Sequence, residues 1–428
     1  MREGTDMELK SERIKLQEGL HLNLIETEKF KSNLISFYFT RPLNEEEVTK
    51  NALLPLVLKS GTKQYPTNLA LEKKMEKLYG ANFSVAVNKR GERQVIRFTM
   101  QWANGEYLGD SEYDYKVIDL LTEIIYNPLL EKDKAFKKDY VAREKKNLTR
   151  IINSRINNKR SYAIERCIEE MCSQENFSLY ELGRVNDLDH IDEKNLYKHY
   201  IDFLATSPIE IFFVGQYDDK LIEYLKQLEQ KPREDIIFIP EDKLVEAPKV
   251  TRNIKEAFDI NQGKLVMGYR SSIKYDDALY NAFLVAGDIL GGGANSKLFK
   301  HVREEASLAY YISTTIYKYK SILLIDSGIE FEDFERTVEI TKKQIDDLKN
   351  GIFTEKDMEV SIQSLKTSTE SIKDSIFLIA EFFFSQLLSK DKRTLEQIIE
   401  DFRQVKKEEV IEAAKSLSID TIYFMEKK

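Results

Sequence analysis

Two rhythms alternate along the chain, and the same succession of them runs through it twice. Leu34-Ile35-Ser36-Phe37-Tyr38-Phe39 is an apolar, aromatic-rich run that predicts a strand, and Leu265-Val266-Met267-Gly268-Tyr269 is its counterpart. A polar cluster follows each strand, Asn44-Glu45-Glu46-Glu47 in the first case and Tyr275-Asp276-Asp277 in the second. Acids there suit the positive end of a helix dipole, so each cluster predicts a helix start. The helices that follow are mostly apolar. One contains Asn51-Ala52-Leu53-Leu54-Pro55-Leu56-Val57-Leu58 and stops before Gly61; the other contains Asn281-Ala282-Phe283-Leu284-Val285-Ala286-Gly287-Asp288-Ile289-Leu290 and stops at Gly291. Glycine in both places fits a helix C-cap.

Second helices are expected over 69–78 and 297–305, followed by alternating strands at Ser84-Val85-Ala86-Val87 and Tyr311-Ile312-Ser313. Both halves then turn helical for a long stretch. Each closes on a helix and a strand, Ile209-Glu210-Ile211-Phe212-Phe213-Val214 and Thr421-Ile422-Tyr423-Phe424-Met425. An offset of about 230 residues relates Asn51 to Asn281. Between the halves, Pro232, Pro240 and Pro248 stand in a charged stretch that reads as a linker. The pattern predicts an α+β fold of two duplicated domains, each an antiparallel-rich sheet packed with helices, at 1–228 and 250–428 with a linker at 229–249.

Composition narrows the function. With 428 residues, 42% hydrophobic and 32% charged, the chain has material for two full cores. A net charge of −8 without a dense basic tract argues against nucleic acid as a partner. Met1-Arg2-Glu3-Gly4-Thr5-Asp6 lacks the apolar core of a secretory signal. The most apolar run, Ile376 to Leu388, is interrupted by Glu381 and too short to span a bilayer, so a cytoplasmic protein without membrane contact is expected. Phe382-Phe383-Phe384 within it reads as core or interface, and Glu131-Lys132-Asp133-Lys134 as a solvated helix start. Cys167 and Cys172 read as buried free thiols. His21, His190, His199 and His301 show no spacing of a local helical ligand pair and are expected at the surface or satisfied in the core.

One segment is more specific. Leu290-Gly291-Gly292-Gly293-Ala294-Asn295-Ser296-Lys297-Leu298-Phe299-Lys300-His301-Val302-Arg303-Glu304-Glu305-Ala306-Ser307-Leu308-Ala309-Tyr310 closely resembles the C-terminal-domain motif of the M16 metallopeptidases, the family of pitrilysin, insulysin and the mitochondrial processing peptidases. The resemblance extends to element order along nearly the whole chain and implies one half of a clam-shell chamber. It also implies a zinc motif, His-x-x-Glu-His, in the first apolar helix. Here the matching residues before Gly61-Thr62 are Ala52, Pro55 and Leu56. These offer neither imidazole nitrogen nor carboxylate, and Pro55 is a kink site. The family's third ligand is a glutamate downstream of the motif matched by Arg143-Glu144-Lys145. From Lys145 through Ile164 there is no acid, only Lys145, Lys146, Arg150, Arg155, Lys159 and Arg160 among charged residues, and a cationic face repels Zn²⁺.

The resemblance further identifies Arg303 and Tyr310 as the family's arginine and tyrosine pair, which holds substrate near the scissile bond from across the chamber. Both side chains can donate hydrogen bonds to a carbonyl oxygen that is gaining charge. Their spacing puts Arg303 in the last helical turn and Tyr310 on the strand after Ala306-Ser307. From the two residues alone, a helix-capping arginine and a core tyrosine are the plainer roles. The run Gly291 to Gly293 lacks the glycine before lysine that a phosphate loop needs, since Ser296 is there, and reads as a helix stop with close backbone packing.

The implied function is that of a zinc-free subunit of a heterodimeric peptidase acting on peptides, with no cofactor in this chain and zinc in a homologous partner. Arg303 and Tyr310 are its expected catalytic and substrate-binding residues. Alone, the chain is expected to be inactive and able to pair with itself. The alternative is a non-enzymatic scaffolding subunit. No histidine, cysteine or serine constellation supports a self-sufficient enzyme.

Overall fold

The computed structural model describes residues 9–132, 134–228, 233 and 235–428. Met1 to Asp6, Asp133 and Pro232 of the sequence reading lie outside them. The first succession of elements is β1 (Glu12–Gln17), β2 (Leu20–Glu26), β3 (Ser32–Pro42), α1 (Val48–Leu58), α2 (Asn68–Lys77), β4 (Asn82–Arg90), β5 (Arg93–Ala103), α3 (Tyr113–Tyr126), α4 (Lys138–Ser154), α5 (Lys159–Met171), α6 (Glu193–Thr206), β6 (Ile209–Gly215) and α7 (Asp219–Lys226). The second is β7 (Arg252–Phe258), β8 (Gly263–Arg270), α8 (Tyr280–Gly291), a π-helical segment (Phe299–Glu305), β9 (Ala309–Tyr317), β10 (Ile322–Ile329), α9 (Phe334–Lys349), α10 (Glu355–Glu370), α11 (Ile376–Ser389), α12 (Leu395–Gln404), α13 (Lys407–Lys415) and β11 (Ser418–Lys427).

Two sheets form, ordered β1-β2-β6-β3-β5-β4 and β7-β11-β8-β10-β9. Apart from the added β1, they share one topology. The pairs β2·β6 and β7·β11 are parallel and every other pair is antiparallel, so the mixed α+β, two-sheet fold expected from the sequence is the observed one.

The chain divides into two compact units that do not follow a single boundary. The first joins the chain up to Asn153 with Leu179–Pro240 and Lys373–Leu387; the second joins Ser154–Ser178, Glu241–Ile372 and Leu388–Lys428. This differs from the expected split at 229–249. The physical reason lies in the strands, whose two faces are both apolar. In β3, Ile35, Phe37 and Phe39 face a helical core, while Leu34, Ser36 and Tyr38 on the other face are also buried. Each sheet therefore needs cover on its second side, and in each unit that cover is a helix drawn from the other half of the sequence. Pro240 and Pro248 do lie in a stretch without helix or strand.

In the first unit the covering helix is α11. Phe384 stacks on Tyr38 with ring centroids 4.2 Å apart and meets the edge of Phe212. Glu381 accepts hydrogen bonds from the Tyr38 hydroxyl (2.9 Å), Arg90 (2.7 Å) and Arg97 (2.5 Å). In the second unit the covering helix is α5. Ala163, Cys167, Ile168 and Met171 pack on Val266, Ile322, Leu324, Tyr423 and Met425. Arg160 bonds the buried Asp326 at 2.5 Å, and Arg166 bonds Glu256 at 2.6 Å. At the end of α5, Arg270 donates to the Met171 carbonyl (2.9 Å), Asp420 (2.6 Å) and Glu175 (2.6 Å), and Lys320 pairs with Glu175 at 2.7 Å. Cys167 and Cys172 are buried free thiols, as expected. Burial pushes the Cys172 thiol up to about 12 and the Cys167 thiol higher still.

Three local expectations change. The cationic run is split, because α4 stops at Ser154 and α5 begins at Lys159. Arg155 pairs with Glu169 and Arg160 with Asp326, so those charges are neutralised locally instead of forming one bare face. The glycines after the apolar helices are not left-handed caps: α1 is capped by Lys59, and neither Gly61 nor Gly291 has a positive φ. They permit close approach. A Cβ on Gly61 would lie 2.5 Å from the Pro66 carbonyl oxygen, and one on Gly291 would lie 2.9 Å from the Thr314 amide. The helix expected over 297–305 forms, but most of it is wound as a π-helix. No helix among the described residues is long and apolar enough to cross a membrane.

Candidate functional site

In the second unit, α8 packs its apolar length into the core and stops where Gly291 touches Thr314 of β9. The chain turns through Gly292 to Ser296 and resumes as the π-helical segment, anchored by the buried Leu298 and Val302. A π turn is wider than an α turn, its bonds running from i to i+5. Arg303 is exposed, its guanidinium 4.6 Å above the ring of Phe299. The segment closes with the Leu308 amide donating to the Val302 carbonyl at 2.9 Å, and Ser307 takes a left-handed φ of 55°.

Tyr310 comes next, on the edge strand β9. Ala309 pairs with Ile329 and Tyr311 with Gly328, which leaves Tyr310 as the extra residue of a bulge. A bulge aims a side chain off the regular pleat, and Tyr310 is 58% exposed. Its hydroxyl donates to Glu330 Oε1 at 2.5 Å, and that bond raises the phenol's pKa above its ordinary value. The structure thus brings both predicted site residues to one exposed junction, flanked by two backbone irregularities. Tyr310 is outside the core, and Arg303, in the last turn of its helical segment, stacks over Phe299. Two hydrogen-bond donors of this kind suit an oxygen acceptor such as a peptide carbonyl.

In the first unit, Ala52, Pro55 and Leu56 lie on α1, the first two buried and Leu56 half-buried. None carries a metal-binding atom. The acid at Glu144 on α4 is already committed, accepting from Ser60 (3.0 Å), Arg143 (2.9 Å) and Asn147 (3.1 Å). This donor set does not fit zinc. Among the histidines, His301 sits 2.7 Å from Glu305 one turn on, and His199 is buried with Nε2 2.7 Å from Asn51 Oδ1.

Sequence spacing did not reveal a cluster around His199. Glu47, His199 and Asp202 place ligand-type atoms within 4.8 Å of one another. The two acids already share a cation, since Arg41 Nη2 lies 2.7 Å from Glu47 and 3.0 Å from Asp202. Burial, reinforced by Arg41 and Lys50, holds the His199 imidazole down to about 4, so it is neutral at physiological pH. The arrangement is a closed structural knot. Its one sequence trace is the match between Asn51 and Asn281, which mark the same helix in each half.

A family model described as the peptidase M16 inactive domain matches residues 190–365. A Bacillus subtilis (strain 168) protein named probable inactive metalloprotease YmfF is 34% identical over 408 residues, covering 95% of this chain and 96% of that protein. The chain belongs to the M16 peptidase family. A second protein of the same strain, named uncharacterized zinc protease YmxG, is 25% identical over 243 residues, covering 55% of this chain and 58% of its own length. A crystal structure of a conserved protein from Enterococcus faecalis V583 matches this M16 chain with a TM-score of 0.90 at 28% identity, over 98% of this chain and 99% of that one.

Proposed function

We propose that this M16 chain is the zinc-free subunit of a two-chain peptidase, and that Arg303 and Tyr310 complete a site whose metal is held by a homologous partner. One observation carries the reading: the half that would hold the metal offers Ala52, Pro55 and Leu56, while the other half keeps Arg303 and Tyr310 exposed on a bulge and a π turn. Two surface hydrogen-bond donors beside a bulge and a π turn support the reading, because both irregularities concentrate at functional sites. The two Bacillus subtilis relatives support the division of labour, since one is named inactive and the other a zinc protease.

The partner supplies the bond-cleaving metal chemistry. This chain's part is to bind the peptide, with the guanidinium and the phenol donating to the carbonyl oxygen near the scissile bond as charge builds on it. Alone, the chain cleaves no peptide. With its partner, Arg303→Ala lowers turnover of a fluorogenic peptide about 100-fold, the size typical for loss of one oxyanion donor, while gel filtration shows an intact complex. Unchanged turnover in an intact complex would return the chain to the scaffolding role.

A further inference from the structure

We infer that Glu330 is a positioning residue for Tyr310, keeping its hydroxyl away from the bound peptide until negative charge develops on the carbonyl oxygen. The inference rests on the role proposed above for Tyr310. A phenol has a single O–H to donate, and in the structure Glu330 Oε1 accepts it at 2.5 Å. The carboxylate is set by sheet register. Glu330 directly follows Ile329, the last residue of β10, and Ile329 pairs with Ala309 on the other side of the bulge from Tyr311.

A carboxylate is a stronger acceptor than a neutral peptide carbonyl. The hydroxyl therefore stays with Glu330 while substrate binds. Once the carbonyl oxygen carries negative charge, the two acceptors compete on equal terms and the hydroxyl can turn to the substrate. Glu330 thus removes a ground-state contact and reserves Tyr310 for the transition state, which favours kcat over tight binding.

The test uses the complex purified with its companion chain and a fluorogenic peptide. Glu330→Gln replaces the carboxylate by a neutral amide of the same shape, and KM should fall about three- to tenfold with kcat not increased. Tyr310→Phe should lower kcat, and adding Glu330→Gln to it should leave KM where Tyr310→Phe puts it. An unchanged KM in Glu330→Gln, or the same KM drop with phenylalanine at 310, overturns the role of Glu330 while leaving the Arg303 and Tyr310 pair standing. If Tyr310→Phe itself is without effect, it is the pair that fails. A readout on this chain alone is the ultraviolet titration difference between the protein and its Tyr310→Phe variant, where Glu330→Gln should bring Tyr310 ionisation to lower pH.

Discussion

Helices α5 and α11 hold matching places in the two successions of elements, and each covers the second face of a sheet, yet their charges are reversed. On the second sheet the helix brings the cations, Arg160 and Arg166, and the strands bring Asp326 and Glu256. On the first sheet the helix brings the acid, Glu381, and the strands bring Arg90 and Arg97. Both helices present small and apolar residues such as Ala163 and Ala380. Opposite polarity adds to the difference between them. A misplaced α5 would set arginine against Arg90 and Arg97, and misdocking of like charges costs more than a lost attraction. The same asymmetry runs through the whole molecule. One topology is used twice, and the two copies differ in the side chains set upon it.

The largest effect is expected at the buried end of α5. Arg270→Ala strands Asp420 and Glu175 with one partner fewer and leaves the Met171 carbonyl only its 3.1 Å bond from Arg252, and it should cost about 3–5 kcal/mol in urea denaturation. A loss below about 1 kcal/mol would mean that charge does not hold α5 in place. Next comes Glu381→Lys, which sets a third cation against Arg90 and Arg97 and should cost about 2–4 kcal/mol. Combining it with Arg97→Glu restores an opposite pair, so the double variant should recover a large part of the loss; an additive loss would remove the charge code from the explanation.

A smaller effect separates the two matched asparagines. Asn51 is bonded to His199, whereas Asn281 sits between Arg393 and Asp401. His199 is depressed from its ordinary value to about 4, so the unfolded chain binds the extra proton first as pH falls. Its contribution is complete above about pH 6.5 and is lost as pH drops towards 4, with about 2 kcal/mol gone between pH 7 and pH 5. His199→Gln should flatten that part of the stability profile. Identical profiles for the two proteins would show that the imidazole is not the group responsible.

The sequence made the strands and apolar helices legible because face alternation and helical periodicity are local properties. Leu34 to Phe39 and Leu265 to Tyr269 are in fact β3 and β8. It could not reveal which helix covers which face, since periodicity shows that a face needs cover without naming the cover. Arg303 and Tyr310 were legible through a resemblance, and both are exposed. The bulge that aims Tyr310 was not legible, because it depends on pairing with β10. Nor was Glu330, which is adjacent to Tyr310 only through that pairing. The knot around His199 escaped for a similar reason: Glu47 and Arg41 reach it from the region before α1, distant in sequence from α6.

The most direct test is to purify the chain from its native cells under gentle conditions, identify its stoichiometric companion and measure zinc per complex. A homologous M16 chain and one zinc ion per pair are expected. A zinc-free self-dimer, or a companion unrelated to the family, would contradict the two-chain reading.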